Sequence, residues 1–192
     1  MKLIYNTNTN IKYLEKLFSE RIQIRDFDIN VVKNDKLICF ISDYVDYDSA
    51  IQLENKCLEK ECNFLPIMFD NPYVMIGPKS YVNEKDACLE CSYQRRLQHM
   101  GDADMFKEVL AKKTDKLFVN PLELYQQNII LNILKSILNN GRKVEGKVLV
   151  LNMLTMESYT SSIVGVHNCS KCGLKRNASE ISYINIQKYF GE

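Results

Sequence analysis

Glycine is scarce and comes late: the chain of 192 residues has 7, and the first is Gly77. A loop that cradles phosphate needs glycine, so that the backbone can turn tightly and bring its N–H groups against the anion. The place where such a loop would lie reads Asn6-Thr7-Asn8-Thr9-Asn10, and this argues against a nucleotide site in the first strand-helix-strand region. Histidine is rarer still, with 2 in all. Neither His99 nor His167 lies near Cys39, Cys57 or Cys62 in sequence, so a Cys-His nucleophile pair has no support. No apolar run reaches the roughly 20 residues that span a bilayer. The N-terminus lacks the apolar stretch and cleavage site of a signal peptide, so a cytoplasmic location without membrane association is expected. An excess of one charge is missing too, since 25 Lys and Arg stand against 24 Asp and Glu. A chain so balanced lacks the broad positive field of a general nucleic-acid binder. There is no internal repeat, low-complexity tract or Pro/Gly/Ser-rich linker.

What is present is a core. Hydrophobic residues make up 46% of the chain, enough for a packed domain. Lys2–Tyr5 reads as a short strand, Ile11–Phe18 as an amphipathic helix, and the alternating Ile22–Phe27 as a strand. Leu37–Ile41 is a continuous apolar run, the mark of a strand covered on both faces. Asp48 can cap a following helix that carries Ile51, Leu53, Cys57 and Leu58. Further strands are expected at Phe64–Phe69 and Tyr73–Ile76, the second closed by Gly77-Pro78. Strands and helices in alternation predict an α/β fold with a mainly parallel sheet.

The second half is more helical. Residues 84–113 read as helix broken near Gly101, and a longer helix is expected over 121–139. Asn120 would cap it, with Pro121 in first position, Glu123 completing a capping box and Gly141 at the end. Its wide apolar stripe (Leu122, Tyr125, Ile129, Ile130, Ile133, Leu134, Ile137, Leu138) suits burial in the core, with a subunit interface as the alternative. Strands are expected at Val148–Leu151 and Tyr159–Val166.

Two short motifs carry the chemistry, Cys88-Leu-Glu-Cys91 and Cys169-Ser-Lys-Cys172. The C-x-x-C spacing lets two thiolates from one turn reach a single ion at about 2.3 Å, and two such turns complete a tetrahedron. Zinc favours that arrangement because it binds thiolate strongly and has no ligand-field preference. A closed four-sulfur shell leaves no open position, so the metal would be structural. A redox C-x-x-C normally occurs once, not twice. His167 is an alternative ligand and, more often in such a place, a donor to one. Asp43, Asp46 and Asp48 cluster where open α/β sheets hold ligands and Mg²⁺, but a helix cap and a solvated turn account for them more simply. Arg95 and Arg96, with Lys175 and Arg176, form either a small basic patch beside the knuckles or a solvated face.

The ordered set Phe64-Leu-Pro-Ile-Met-Phe-Asp70, Val74-Met-Ile-Gly-Pro78, Ala87-Cys-Leu-Glu-Cys91 with Arg95-Arg96, and His167-Asn-Cys-Ser-Lys-Cys-Gly173 resembles the E1-like proteins of thiazole/oxazole-modified peptide biosynthesis. These are relatives of the ubiquitin-activating ThiF/MoeB enzymes. The resemblance runs from Leu3 to about Gly173. It implies a single Rossmann-like E1-type domain over 1–192: a degenerate Rossmann half at 1–80, a helical and zinc-knuckle half at 81–175, and a tail at 176–192. It implies a tetrathiolate zinc at Cys88, Cys91, Cys169 and Cys172, and assembly as a homodimer or hetero-oligomer. It also implies a YcaO-type cyclodehydratase as partner and a ribosomal precursor peptide as the molecule handled. Adenylating E1 enzymes need a Gly-rich loop, a metal-binding Asp and an Arg in the following helix. Here the loop is Asn/Thr and residues 43–50 hold no arginine, so a non-catalytic subunit with no catalytic or nucleotide-binding residues is expected. An ATP-dependent adenylating enzyme and a zinc-knuckle nucleic-acid binder are the alternatives. Many relatives grip the leader peptide with an N-terminal winged helix; this chain opens on the first strand, so that grip is expected from another protein or from an exposed strand edge.

Overall fold

The computed structural model describes residues 1–6, 12–14, 17–18, 20–23, 36–81, 86–111, 123–139, 144–166, 169 and 171–172. Its strands are β1 (Lys2–Asn6), β2 (Glu20–Gln23), β3 (Leu37–Ser42), β4 (Asn63–Asp70), β5 (Tyr73–Ile76), β6 (Lys147–Asn152) and β7 (Ser158–Ser162). The helices are α1 (Tyr47–Glu59), α2 (Leu89–His99), α3 (Ala103–Ala111) and α4 (Leu124–Leu138). One seven-stranded sheet runs in the order β2-β1-β3-β4-β5-β6-β7.

The sheet is mixed, which corrects the expectation of a mainly parallel one. Pairs β1–β2, β1–β3 and β3–β4 are parallel; β4–β5, β5–β6 and β6–β7 are antiparallel. The reason lies in the connections. Parallel neighbours need a long crossover such as α1, whereas β4 and β5 are joined by the tight turn Asn71-Pro72, which can only reverse the chain.

Alternation along the strands divides the core between two faces. Leu3, Cys39, Ile41, Leu65, Ile67, Val74, Ile76, Leu149 and Leu151 face Ile130, Leu134 and Ile137 of α4. Ile4, Ile38, Phe40, Phe64, Met68 and Met75 face Tyr47, Ala50, Leu53 and Cys57 of α1, with Leu89 of α2. Every residue of β3 is buried, as its unbroken apolar run requires of a strand covered on both sides. Gly77 leaves β5 with φ +96°, and a side chain there would meet the Lys147 carbonyl oxygen at 2.8 Å. Only glycine fits that close approach.

Several boundaries move. Asp46, not Asp48, caps α1: its Oδ1 accepts from the Ser49 N–H at 3.1 Å. The α4 helix starts at Leu124, with Glu123 as cap and Gln126 completing the box; Asn120, Pro121, Leu122 and Gly141 lie outside the described residues. Of its stripe, Ile130, Leu134 and Ile137 are buried and Ile129, Ile133 and Leu138 pack against the core, while Tyr125 is 54% exposed. Within the expected helical stretch 84–113, the described residues form two helices, Leu89–His99 and Ala103–Ala111, parted around Gly101. The expected helix 11–18 is described only as a 3-10 turn at Lys12–Leu14, with Leu14 and Phe18 buried. Strand β2 is described over Glu20–Gln23, and 24–27 lie outside the described residues, as do Thr7–Asn10. Among the described residues no helix is long and apolar enough to cross a membrane.

Candidate metal centre

Cys88 and Cys91 sit at the start of α2. Cys88 is the cap residue in extended conformation, and Cys91 lies in the first turn, three residues on. Unpaired N–H groups at a helix start favour thiolate over thiol. The second pair arrives after β7. That strand was expected to run to Val166 but stops at Ser162, because the backbone beyond it is diverted. Arg95 donates through Nε to the Val164 carbonyl at 2.9 Å and through a terminal nitrogen to the Gly165 carbonyl at 3.2 Å. The Val166 N–H donates to Cys91 Sγ at 3.2 Å.

Cys88, Cys91, Cys169 and Cys172 are all buried, and their four Sγ atoms lie within 4.8 Å of one another. Cys88 Sγ is 3.5 Å from Cys169 Sγ, and Cys91 Sγ is 3.3 Å from Cys172 Sγ. These separations are far beyond the ~2.05 Å of a disulfide. They lie a little short of the ~3.8 Å edge of a sulfur tetrahedron around zinc, and no sulfur pair exceeds 4.8 Å. The donor set therefore fits a metal ion. Hydrogen bonding among the sulfurs divides their protons: Cys172 holds the Cys88 thiol above its ordinary range, and Cys88 in turn holds Cys172 below it. Hydrogen bonding with Cys172 also pushes Cys91 up to about 11. A divalent cation held between them would displace the thiol protons.

The cage is braced by residues that the sequence did not single out. Glu54 of α1 is fully buried and accepts from Ser80 Oγ at 2.5 Å, from the Leu89 N–H at 3.0 Å and from Lys171 Nζ at 2.5 Å. Lys171 lies between the cysteines of the second pair, and its side chain is 11% exposed. One carboxylate therefore ties the first turn of α2 to the second knuckle. Nothing in local sequence marks it, since Glu54 reads as one charge among several on α1.

The other candidates fall elsewhere. Asp46 serves as a cap, also accepting from Tyr44 Oη at 3.2 Å. Cys39 is buried mid-strand, and burial pushes its thiol up to about 12; Cys57 and Cys62 are likewise buried. Arg96 is no solvated side chain: it bonds Asp70 at 2.6 Å and lies over the Phe106 ring. His167, Gly173, Lys175 and Arg176 lie outside the described residues.

Fold and cage together define a mixed α/β domain whose two C-x-x-C turns could hold one metal ion. No protein-family model matches the chain, and no characterised protein matches its sequence. Among solved structures it is similar to a chain of the E. coli microcin synthetase McbBCD complex, with a TM-score of 0.68 at 15% identity, over 88% of this chain and 67% of that one. In the McbBCD complex with pro-MccB17 bound the TM-score is 0.60 at 14% identity, over 90% of this chain and 70% of that one. The heterocyclase TruD gives 0.59 at 16% identity, over 90% of this chain and 27% of that one. The likeness is one of fold, and the chain spans only a part of each.

Proposed function

We propose that this protein is an E1-like, zinc-stabilised subunit of a complex that modifies a ribosomal peptide. In this reading it does no adenylation itself; it presents the precursor peptide to a YcaO-type cyclodehydratase or activates that enzyme, in the cytoplasm, as one E1-like unit in a homodimer or hetero-oligomer. The observation that carries the proposal is the pairing of two features. The sheet shares its fold with a chain of a microcin synthetase, and Cys88, Cys91, Cys169 and Cys172 lie close enough together to hold a metal ion. The closed sulfur shell supports a structural metal, and the use of Asp46 as a helix cap supports the absence of a nucleotide site.

The test is co-expression with a YcaO-type cyclodehydratase and a candidate precursor. The protein should co-purify with the cyclodehydratase, and loss of water from the peptide, read by mass spectrometry, should depend on its presence. Equal processing without it, together with no co-purification, defeats the proposal. ATP–pyrophosphate exchange by the isolated chain would assign it to the adenylating class instead.

A further inference from the structure

Helices α1 and α2 pack on the second face of the sheet over β3 and β4 and, among the described residues, leave part of it open over β5 to β7. A cavity of about 730 Å³ lies there, with Met75, Val148 and Val150 as an apolar floor, Arg95 and Arg96 of α2 on one wall, and Tyr159 of β7 at the far side.

Two observations say what this place takes. The first is the edge. Among the described residues β7 is the outermost strand, and all five of its residues are exposed. An edge strand offers unpaired N–H and C=O groups to any passing chain, and proteins usually guard it with charge or proline. The sequence Ser158-Tyr-Thr-Ser-Ser162 has neither, whereas the opposite edge, β2, carries exposed Glu20 and Arg21. The second is charge. Arg96 is committed to Asp70 at 2.6 Å. Arg95 donates only to neutral acceptors, the carbonyls of Val164 and Gly165 and Gln98 Oε1, and meets no carboxylate among the described residues. Those carbonyls lie just past the end of β7, so an uncompensated guanidinium stands beside the unguarded edge.

The geometry points to a docking site for an extended acidic peptide, which adds to β7 as an eighth strand and turns its alternate acidic side chains toward the cavity face that holds Arg95 and Tyr159. This rests on the peptide-presenting function above and names where the peptide lies.

Fluorescence anisotropy with the metal-loaded protein tests it. The probe is a labelled nonapeptide alternating Glu and Val; its counterparts carry Lys for Glu, or N-methyl groups on alternate amides. The acidic peptide should bind saturably, and both counterparts at least tenfold more weakly. Arg95→Glu should invert the preference between the Glu and Lys peptides, a result that misfolding cannot produce. Hydrogen exchange at 158–162 should slow on adding the acidic peptide. Equal binding of the Glu and Lys forms, indifference to N-methylation, or no binding overturns the site. So does protection of 158–162 that grows with protein concentration alone, which would assign the edge to a second copy. Failure here with the cyclodehydratase still co-purifying removes only the docking site. Peptide binding without any cyclodehydratase contact removes only the functional reading.

Discussion

Glu54 and Lys171 form an ion pair enclosed by the fold, 2.5 Å apart with 0% and 11% of their side chains exposed. Two charges taken from water bring little net stability, yet removing Glu54 leaves Lys171 only Glu90 at 3.6 Å and takes the acceptor from Ser80 and the buried Leu89 N–H, at a cost of about 3–5 kcal/mol. Glu54→Ala should therefore lower the urea-unfolding free energy by that order. Glu54→Met combined with Lys171→Met should recover only part of the loss, because neither charge then remains but the buried Leu89 N–H still lacks its acceptor. A loss under about 1 kcal/mol for the single variant would contradict the bracing role. Cys39 makes a pH prediction. Burial raises its folded pKa to about 12 from an ordinary value of 9.0. Between those values the unfolded chain releases the proton and the folded chain keeps it, so this contribution is whole below pH 9 and is lost as pH rises toward 12. Cys39→Ala should remove a slope of at most about 1.4 kcal/mol per pH unit. Urea midpoints at pH 8, 9.5 and 11 check this: the gap between wild type and variant should narrow with pH.

At the scale of elements, α4 shows how a tertiary contact chooses among local signals. Its first turn offers two boxes, Asn120 with Glu123 and Glu123 with Gln126. The second is formed, Asn120 lying outside the described residues, and Gln126 also donates to the Met153 carbonyl at 3.0 Å, a contact across to the β6–β7 turn that no local pattern reveals. Glu123→Ala should cost about 1 kcal/mol. Leu134→Ala, deep in the α4 face of the core, should cost about 2–5 kcal/mol. Chemical denaturation of the two variants should rank them in that order, and a reversed order would mean that α4 is held by its cap rather than by its stripe. The end of β7 teaches the same lesson. Tyr159–Val166 has strand-like composition throughout, but Arg95 and Cys91 capture its last backbone groups.

For the whole molecule, the decisive link is the cage, which joins stretches of chain 81 residues apart. If the chain-entropy estimate for disulfides carries over, closing that loop contributes ~4–5 kcal/mol. Elemental analysis of protein prepared under reducing conditions should find one zinc per chain. Chelation should lower Tm by roughly 10–15 °C, and Cys91→Ser should do the same without chelator. Folded, reduced protein free of metal, with Tm unmoved by chelator, would remove the zinc reading and most of what rests on it.

The sequence by itself pointed to the four sulfurs that meet, because C-x-x-C spacing brings two thiols of one turn to the same side. It also determined the buried strands and the two-helix break at Gly101, since hydrophobic period and glycine act within a few residues. The tertiary structure alone decided the turn of the sheet from parallel to antiparallel at β4, the hold of Glu54 on both knuckles, and the uncovered floor beside β7. Each of these depends on groups far apart in the chain, whose pairing is set by how the layers pack and not by any run of neighbouring residues.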